Sequence, residues 1–295
     1  MATAAERKAL SHVERTASEP RDESLHKALL RRIDQINSEI RLLRLSPAPG
    51  EQCFSFLPGQ WLDVYVPTVP KAGGFTITSP PSLLSTSNLH PYFELAIQKS
   101  PENPPAAWLW RPEEEILDSE LSVRVGGSFV WPPKFSGGEI KRVVLVAGGV
   151  GINPLMSILS HLSNLDPIPF EIRFLYTLRD PGDERMGDER MGDEILFLGR
   201  LVKIFNLLEK EEALQVFLTS GKRESGVIWC NENEVPFNGR RIGKRDLEQA
   251  LGEVEERKGT VVYICGVPGM TDEFVKIAKE AEGMDERHVL CEKWW

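Results

Sequence analysis

The chain has 295 residues, of which 41% are hydrophobic and 27% are charged, and its formal net charge is −9. This length favours two domains with two cores, and this composition is typical of a globular protein and excludes a fibrous or largely disordered one. The negative charge argues against nucleic acid as a partner, because broad binding to a phosphate backbone needs a basic surface.

The cysteines and the apolar runs indicate neither a disulfide framework nor a membrane span. The four cysteines are far apart and form no Cys-x-x-Cys pair, so we predict no metal site. The longest apolar run, Val143 to Leu159, contains three glycines, an asparagine and a proline and is too short for a membrane helix. The first 40 residues lack the apolar core of a secretory signal, and their acidic residues are unusual in a transit peptide.

The predicted elements begin with a helical leader, residues 1–37. Helix formers and scattered charges fill this segment, which has a polar beginning. Its apolar residues recur at helical spacing and predict an amphipathic helix. They are Leu25, Ala28, Leu29, Ile33 and Ile36.

Residues 38–136 have the pattern of an antiparallel barrel or sandwich. Short alternating runs such as QWLDVYV, YFELAIQ and LSVRVGGSF are separated by clusters of Pro, Gly and Ser, which is typical of strands joined by turns. The segment PPKFSGGEIK, Pro132 to Lys141, interrupts the apolar pattern with prolines and glycines, so we place the domain boundary there.

Residues 137–295 alternate buried strands with helices. The runs RVVLVA, FEIRFLY, LQVFLT, TVVYIC and HVLCE predict strands, and helices are predicted over 154–165, 195–209, 244–251 and 270–281. This alternation predicts a doubly wound parallel sheet with helices on both faces, in which ligands bind beyond the carboxyl ends of the strands. A tandem duplication, GDERMGDERMGDE at 182–194, predicts a solvated loop.

The strand RVVLVA runs into a glycine turn, Gly148 to Pro154, and then into a helical pattern. Asn153 is predicted to cap this helix, and Pro154 is predicted to occupy its first position. The helix N-terminus favours an anion, and Gly149 and Gly151 leave space for one to approach the backbone. A turn that only packs the helix on the strand is the alternative, since a glycine motif alone is weak.

Three motifs together resemble the ferredoxin reductase superfamily: FLPGQW near the beginning, GGVGINPLMSIL in the middle and YICGVPGM near the end. The resemblance covers about residues 38–295 and is closest to the oxidoreductase NAD-binding domain-containing proteins. It implies a flavin-binding barrel followed by a nicotinamide-nucleotide domain. It also implies a mitochondrial location, with the cytoplasm as the alternative.

The resemblance assigns the glycine turn to NAD(P)H and places the Cys-Gly pair of YICGVPGM beside the nicotinamide. A small thiol buried in the core is the alternative for Cys265. Charge near the adenine ribose separates NADH from NADPH, and the charged candidates conflict, with a lean to NADH. The residues assigned to the nucleotide are Gly148, Gly149, Val150, Gly151, Ile152, Asn153, Pro154, Arg179, Ser220, Arg223, Cys265 and Gly266.

On the flavin side, the family pattern Arg-x-Tyr-Ser resembles GGFTITS in this chain. The resemblance implies that Phe75 covers the isoalloxazine ring and that the Thr76 hydroxyl reaches N5, whereas Gly73 replaces the phosphate-binding arginine. We therefore expect FAD to bind weakly and the substitution Gly73→Arg to tighten it. A strand whose phenylalanine merely packs inside the barrel is the alternative.

Two further segments complete the predicted flavin site. Backbone N–H groups in NPPAAWLW are expected to meet the phosphate from a helix start, and the terminal tryptophan is expected to stack on the ring. The residues assigned to the flavin are Phe75, Thr76, Ile77, Thr78, Ala106, Ala107 and Trp295.

The function predicted from these assignments is hydride transfer from NAD(P)H to FAD, with electrons passed to an unknown acceptor. Thr76, Cys265 and Trp295 are the candidate catalytic residues. A regulatory or interaction protein that binds NAD(P) and has a decayed flavin site is the second hypothesis, because Gly73 offers no guanidinium group. A flavin-free dehydrogenase is disfavoured, since no His, Tyr or Lys constellation with a substrate role stands out.

Overall fold

The structure is a computed structural model that describes residues 11–134, 139–180, 191–219 and 224–293. Within these ranges the chain divides into two compact units. The first unit comprises residues 11–132 together with Met156–His161, and the second comprises the other described residues.

The first unit is built on a six-stranded antiparallel sheet. Its strands are β1 (His26–Asn37), β2 (Ile40–Pro47), β3 (Trp61–Tyr65), β4 (Gly73–Thr76), β5 (Phe93–Gln98) and β6 (Glu120–Gly126), and its helices are α1 (His12–Arg15), α2 (Pro104–Leu109) and α3 (Glu113–Ile116). The strand order is β4-β3-β6-β1-β2-β5, and a bridge between Ile77 and Leu95 joins the two ends. The sheet therefore closes in the manner of a barrel, and the predicted barrel is confirmed.

Alternation along the strands separates the inside of the barrel from the outside. In β3, Leu62 and Val64 are fully buried in the barrel core, and Asp63 between them lies on the outer face. In β4, Phe75 packs against the same core, so its neighbour Gly74 lies on the outer face. Each strand thus presents one set of residues to the core and another to the outside.

Residues 26–37, predicted as part of a helical leader, form strand β1 instead. The pairing of β1 with β2 shifts between Leu30 and Arg32, which leaves Arg31 as an extra residue in β1. This bulge lets Ile33, three positions after Leu30, pack against the same core as Leu30. The bulge therefore gives a strand the apolar spacing of a helix, and the prediction of a helix there is wrong.

The second unit is built on a seven-stranded sheet. Its strands are β7 (Arg142–Gly148), β8 (Glu171–Arg179), β9 (Leu214–Thr219), β10 (Gly226–Cys230), β11 (Asn233–Asn238), β12 (Thr260–Cys265) and β13 (Val289–Glu292). The helices that follow these strands are α4 (Ile152–Leu162), α5 (Leu198–Leu207), α6 (Lys244–Leu251) and α7 (Pro268–Glu280). The strand order is β10-β11-β9-β8-β7-β12-β13, and every neighbouring pair except β10–β11 is parallel. The predicted doubly wound sheet is confirmed, with the hairpin β10–β11 as an addition that makes it mixed.

The central strands of this sheet are buried on both faces. Val143 to Ala147 in β7 have no exposed surface. Alternate residues of β7 and β12, such as Val144 and Ile264, pack with α6 and α7 in one core. Burial on both faces is what a parallel sheet covered by helices requires, and it explains why these strands are continuous apolar runs.

The chain reverses its direction of winding between β7 and β12. It forms β7 first, adds β8 and β9 on one side, and then adds β12 and β13 on the other. In open α/β sheets, ligands bind at such a reversal, beyond the carboxyl ends of the strands. Here those ends are Gly148 and Cys265.

In the described ranges, no helix combines the length and the apolar character that crossing a membrane requires. No group of three or more His, Cys, Asp or Glu side chains in those ranges is placed to hold a metal ion. The four cysteines are not joined in disulfides. Of the tandem duplication, residues 191–194 are described, and they form a 3₁₀ turn.

Candidate functional site

The glycine turn lies at the carboxyl end of β7, where the sheet reverses its winding. Gly148 is the last residue of β7, and Gly149–Gly151 form a 3₁₀ turn that leads directly into α4. At Gly149, φ is +53° and no atom lies within 4 Å of the position that a Cβ would take. The backbone of Gly149 therefore borders open space that an anion can approach.

Gly151 has a different role from the predicted one. A Cβ at this position would collide with the carbonyl oxygen of Cys265 and would lie 2.6 Å from the backbone nitrogen of Gly266. The missing side chain lets the turn pack directly on the end of β12. The interpretation of Gly151 as space for a ligand is therefore wrong, because the protein's own backbone fills that space.

Helix α4 begins earlier than predicted. Its first residue is Ile152, so Asn153 and Pro154 are its second and third residues. The preceding 3₁₀ turn already initiates the helix, because Ile152 donates its N–H to the carbonyl of Gly149. Asn153 is therefore not the cap, and Pro154 is accommodated in the first turn, where N–H groups have no partner within the helix.

Cys265 and Gly266 lie at the same edge of the sheet as the glycine turn. A Cβ on Gly148 would lie 3.1 Å from the Cα of Gly266, so the two glycine backbones pack closely. The thioether of Met270 in α7 lies beside both glycines, a contact that sequence reasoning missed. The side chain of Cys265 has no exposed surface, and its role beside a nicotinamide stays a prediction.

The other residues assigned to the nucleotide differ in accessibility. Two residues of the turn reach the surface, Gly149 and Val150, and the three that follow Gly151 are buried: Ile152, Asn153 and Pro154. Arg179 is the last residue of β8 and is exposed. The assigned residues that fall outside the described ranges are Ser220, Arg223 and Trp295.

The predicted flavin residues lie on β4 and directly after it. The ring of Phe75 is partly exposed and packs against the barrel core, and Thr76 is buried. Ile77 belongs to the core, and the hydroxyl of Thr78 donates to the carbonyl of Glu94 at 3.1 Å. The partly exposed face of Phe75 is therefore the surface that this segment offers to an aromatic ring.

Gly73, where the family has a phosphate-binding arginine, has no space beside it. A Cβ here would lie 2.6 Å from the ring of Phe75 and 2.8 Å from the Cβ of Pro105 in α2. Gly73 does not have a positive φ, so crowding and not backbone conformation is what requires glycine. The expectation that Gly73→Arg tightens FAD stays a prediction, and it requires Phe75 and Pro105 to move, because a side chain at position 73 fits only if its neighbours shift.

Helix α2 offers few backbone donors to a phosphate. Its first two residues, Pro104 and Pro105, have no N–H. The N–H of Ala107 donates to the carbonyl of Asn103 at 2.8 Å, so the prediction that it points at phosphate is wrong. Ala106 is only 1% exposed. The glycine turn thus suits a nucleotide and β4 offers an aromatic side chain to a ring, whereas neither β4 nor α2 carries a charged side chain for the diphosphate of FAD.

Sequence reasoning also missed a buried carboxylate on the outer face of the barrel. Asp63 has no exposed surface and accepts hydrogen bonds from Arg21 at 3.0 Å and from Arg124 at 2.7 Å. The Nε2 of His12 lies 3.2 Å from the other oxygen of Asp63. Burial raises the pKa of Asp63, but the hydrogen bonds from His12, Arg124 and Arg21 outweigh burial and lower it to about 2.

The N-terminal segment, residues 12–21, is attached to β3 and β4, and this carboxylate provides the attachment. The imidazole of His12 occupies the space beside Gly74, where a Cβ would collide with it. The rings of His12 and Trp61 meet edge to face, with centroids 4.7 Å apart, and Arg21 lies 4.9 Å from the centroid of the same indole. His12 thus lies on the outer face of β4, whose inner face carries Phe75, and Arg21 lies on the outer face of the neighbouring strand β3.

These two units define a ferredoxin reductase-like fold with a nicotinamide-nucleotide-binding domain, and comparison with known proteins agrees. Residues 140–279 match the family described as ferric reductase NAD binding domain. The chain is 33% identical over 293 residues to "Oxidoreductase NAD-binding domain-containing protein 1" of Bos taurus, across 96% of this chain and 85% of the relative. The chain belongs to the family of oxidoreductase NAD-binding domain-containing protein 1.

Solved structures show the same fold at low sequence identity. "Ferredoxin reductase in carbazole 1,9a-dioxygenase" superposes with a TM-score of 0.62 at 16% identity, over 92% of this chain and 70% of that chain. The CS-b5R domains of human Ncb5or, in the NAD⁺ form, superpose with a TM-score of 0.65 at 17% identity, over 91% of this chain and 69% of that chain. These likenesses extend the shared fold across both units.

Proposed function

We propose that the chain is an NAD(P)H-dependent oxidoreductase that reduces a flavin, from which electrons continue to an acceptor. The observation that carries this proposal is the open space beside the backbone of Gly149, at the point where the sheet reverses its winding. The residues of this sheet match a family described as an NAD binding domain. An exposed glycine turn leading into a helix of eleven residues suits a pyrophosphate, because unpaired N–H groups and the positive helix end favour an anion.

The residues around the turn have separate roles in this proposal. Gly149 and Val150 meet the phosphates through their backbone, since they are the turn residues that reach the surface. Gly151 and Met270 hold the turn against the end of β12. Cys265 lies at that end, where its small side chain limits the position of the nicotinamide ring.

When bound, NAD(P)H supplies a hydride from C4 of its nicotinamide ring. The protein then has to bind the nucleotide, orient the ring and exclude water. The side chain of Cys265 has no exposed surface, so we assign it to orienting the nicotinamide ring and not to proton transfer. NADH is the preferred donor in this proposal, and NADPH is the comparison in every titration.

The variant Gly149→Ala tests the proposed nucleotide site. We expect it to raise the dissociation constant for NADH at least about tenfold, equivalent to about 1.4 kcal/mol, because a methyl group enters the space needed by the pyrophosphate. Gly50→Ala is the matched control, since Gly50 also has a positive φ, at +85°, and also borders open space. Both variants carry similar backbone strain. Calorimetric titration with NADH compares their dissociation constants, and only Gly149→Ala should also lose the contact with the pyrophosphate.

An unchanged dissociation constant in a folded Gly149→Ala protein would contradict a pyrophosphate at this turn. Equal weakening by both variants would show that backbone strain, and not contact with the ligand, controls affinity.

A second candidate function is a nicotinamide-nucleotide-binding protein without redox turnover. Glycine at position 73 favours it, because this position supplies no guanidinium group to the diphosphate of a resident flavin and its Cβ site is filled by Phe75 and Pro105. Anaerobic mixing with NADH and an excess of flavin distinguishes the two functions. Nucleotide binding without loss of flavin absorbance would support this second function and overturn the first.

A further inference from the structure

The crossing of β4 and α2 is filled by protein atoms. Phe75 and Pro105 lie so close to Gly73 that a single methyl group there would have contacts of 2.6 and 2.8 Å. Real Cβ atoms are not found at such distances from other carbon atoms, so protein atoms fill the space beside Gly73. A flavin phosphate therefore cannot approach the backbone of Gly73 from the side on which a Cβ would lie, and glycine supplies no guanidinium group in its place.

The donors around the crossing are also committed elsewhere or missing. Pro104 and Pro105 have no N–H, and the N–H of Ala107 is used within the helix. The nearest lysine in sequence, Lys71, precedes β4 and is exposed. Hydrogen bonds from Ser11 lower the pKa of Glu14, and the charge of Lys71 adds to this effect.

β4 offers an aromatic side chain to a flavin ring, although it offers no charged side chain to the phosphates. The Phe75 ring is partly exposed on a strand whose outer face is fixed by His12. A planar ring can stack there, whereas a phosphate tail would extend from it without charged partners on β4 or α2. The chemistry of this segment thus favours the isoalloxazine ring over the rest of the flavin.

We propose that the protein uses flavin as an exchangeable substrate, recognised by its isoalloxazine ring at Phe75, and that it does not retain FAD as a bound cofactor. This inference rests on the proposed function, since it names the flavin that the NAD(P)H-dependent reaction reduces. Riboflavin, FMN and FAD share the ring and differ in the phosphates and, for FAD, in an added adenosine, so recognition of the ring alone makes them equivalent substrates.

The reaction balances with two substrates and one proton. The C4–H bond of the dihydronicotinamide breaks and an N5–H bond forms on the flavin, so NAD(P)H is oxidised and the flavin is reduced by two electrons. One proton from solvent completes the reduced flavin. NAD(P)⁺ and reduced flavin then leave, and the reduced flavin carries the electrons onward.

Two measurements on the full chain test the proposal: the amount of flavin bound per chain, and the KM values for riboflavin, FMN and FAD. After dialysis, we expect well under one flavin per chain, measured by absorbance after acid release. In anaerobic assays with NADH, we expect KM values for riboflavin, FMN and FAD within about threefold, because no phosphate contact separates them. Each charge-assisted hydrogen bond to the diphosphate would instead favour FAD by roughly tenfold to a hundredfold.

The outcomes separate this inference from the proposed function. FAD retained at one per chain and reduced by NADH, or a KM for FAD at least about tenfold below that for riboflavin, would overturn the inference and leave the proposed function in place. Binding of NADH without reduction of any of the three flavins would overturn both.

Phe75→Leu tests the stacking surface, with Phe75→Tyr as its matched control. We expect the leucine variant to raise KM for all three flavins by a similar factor, roughly fivefold to tenfold, because an aromatic face is lost. The tyrosine variant should keep the KM values of the original protein, and KM for NADH should change in neither. A selective loss for FAD, or no change in the folded leucine variant, would contradict recognition of the ring at Phe75.

Discussion

The carbonyl oxygen of Cys265 occupies the space where a side chain on Gly151 would begin. The two residues meet because β7 and β12 are neighbours in the sheet, with Ala147 paired to Cys265. Gly149, two residues earlier, borders open space instead. Two glycines of one motif thus serve different purposes, one in packing the sheet and the other in leaving the surface accessible.

We expect Gly151→Ala to lower the free energy of unfolding by about 1–3 kcal/mol, the usual cost of forcing extra atoms into a packed region. Gly269→Ala in α7 is the matched control, because no atom lies within 4 Å of the added methyl group there. Alanine is favoured over glycine in a helix by about 1 kcal/mol, so this control should keep or gain stability. Urea unfolding followed by circular dichroism compares the two, and equal stabilities would contradict the packing role of Gly151.

The sequence predicts the existence of the glycine turn because strand, turn and helix are contiguous signals. It does not reveal which glycine borders a ligand and which borders the protein. That distinction depends on Cys265, which reaches Gly151 only through the pairing of β7 with β12. The crowding of Gly73 by Pro105 was hidden for the same reason, since it arises where a strand and a later helix cross.

At the scale of the element, the β10–β11 hairpin turns through two residues with positive φ, Asn231 at +46° and Glu232 at +64°. Two-residue turns of this kind favour Asn-Gly, because a side chain in the left-handed region is strained. We expect Glu232→Gly to raise the free energy of unfolding by about 0.5–1 kcal/mol, as the relief of strain exceeds the added flexibility of the unfolded chain.

Glu234→Gly is the control for this substitution. Glu234 is exposed in β11 and lies opposite Trp229, so a glycine there should weaken the strand and lower stability. Thermal unfolding of the two variants measures both effects. A loss of stability in Glu232→Gly would contradict strain at this turn.

Strands were predictable wherever their burial pattern is local and regular. β6 alternates in burial, and β3 and β5 alternate apolar with polar or small residues although both are almost wholly buried. β7 and β12 are continuous apolar runs covered on both faces, and β8 and β9 each have a buried apolar centre. β1 was missed because its bulge at Arg31 imitates helical spacing. The β10–β11 hairpin was missed because Asn-Glu lacks the glycine that usually identifies such a turn.

At the scale of the whole chain, Asp63 connects segments that are far apart in sequence: the N-terminal residues His12 and Arg21, and Arg124 in β6. The folded-state pKa of Asp63, about 2, lies below its ordinary value of 3.8. The unfolded state therefore binds this proton more tightly than the folded state. The stability that Asp63 contributes is present above about pH 4 and is lost as the pH falls from there towards 2.

We expect Asp63→Asn to lower the free energy of unfolding by about 2–3 kcal/mol at neutral pH, because the partly buried guanidinium groups of Arg21 and Arg124 lose their charged acceptor. The difference in free energy of unfolding from the original protein should narrow between about pH 4 and pH 2, because Asp63 becomes protonated first in the unfolded state and then in the folded state. Urea unfolding at several pH values measures this difference. Asp118→Asn is the control, since its pair with Arg31 is exposed and should contribute under about 1 kcal/mol.

The free energies of unfolding of the Asp63→Asn variant and the original protein could instead differ by the same amount at pH 5 and at pH 2. That result would contradict a lowered pKa for Asp63 in the folded protein.

The attachment of His12 to Asp63 also has a consequence for synthesis of the chain on the ribosome. His12 is made early, but Arg124, which shares its carboxylate, is made only with the last strand of the barrel. At about 5–20 residues per second, the interval between the two residues is about 6–22 s. During that time the nascent N-terminus has no completed docking face, so a chaperone that holds it would act before β6 emerges and would have to release it afterwards.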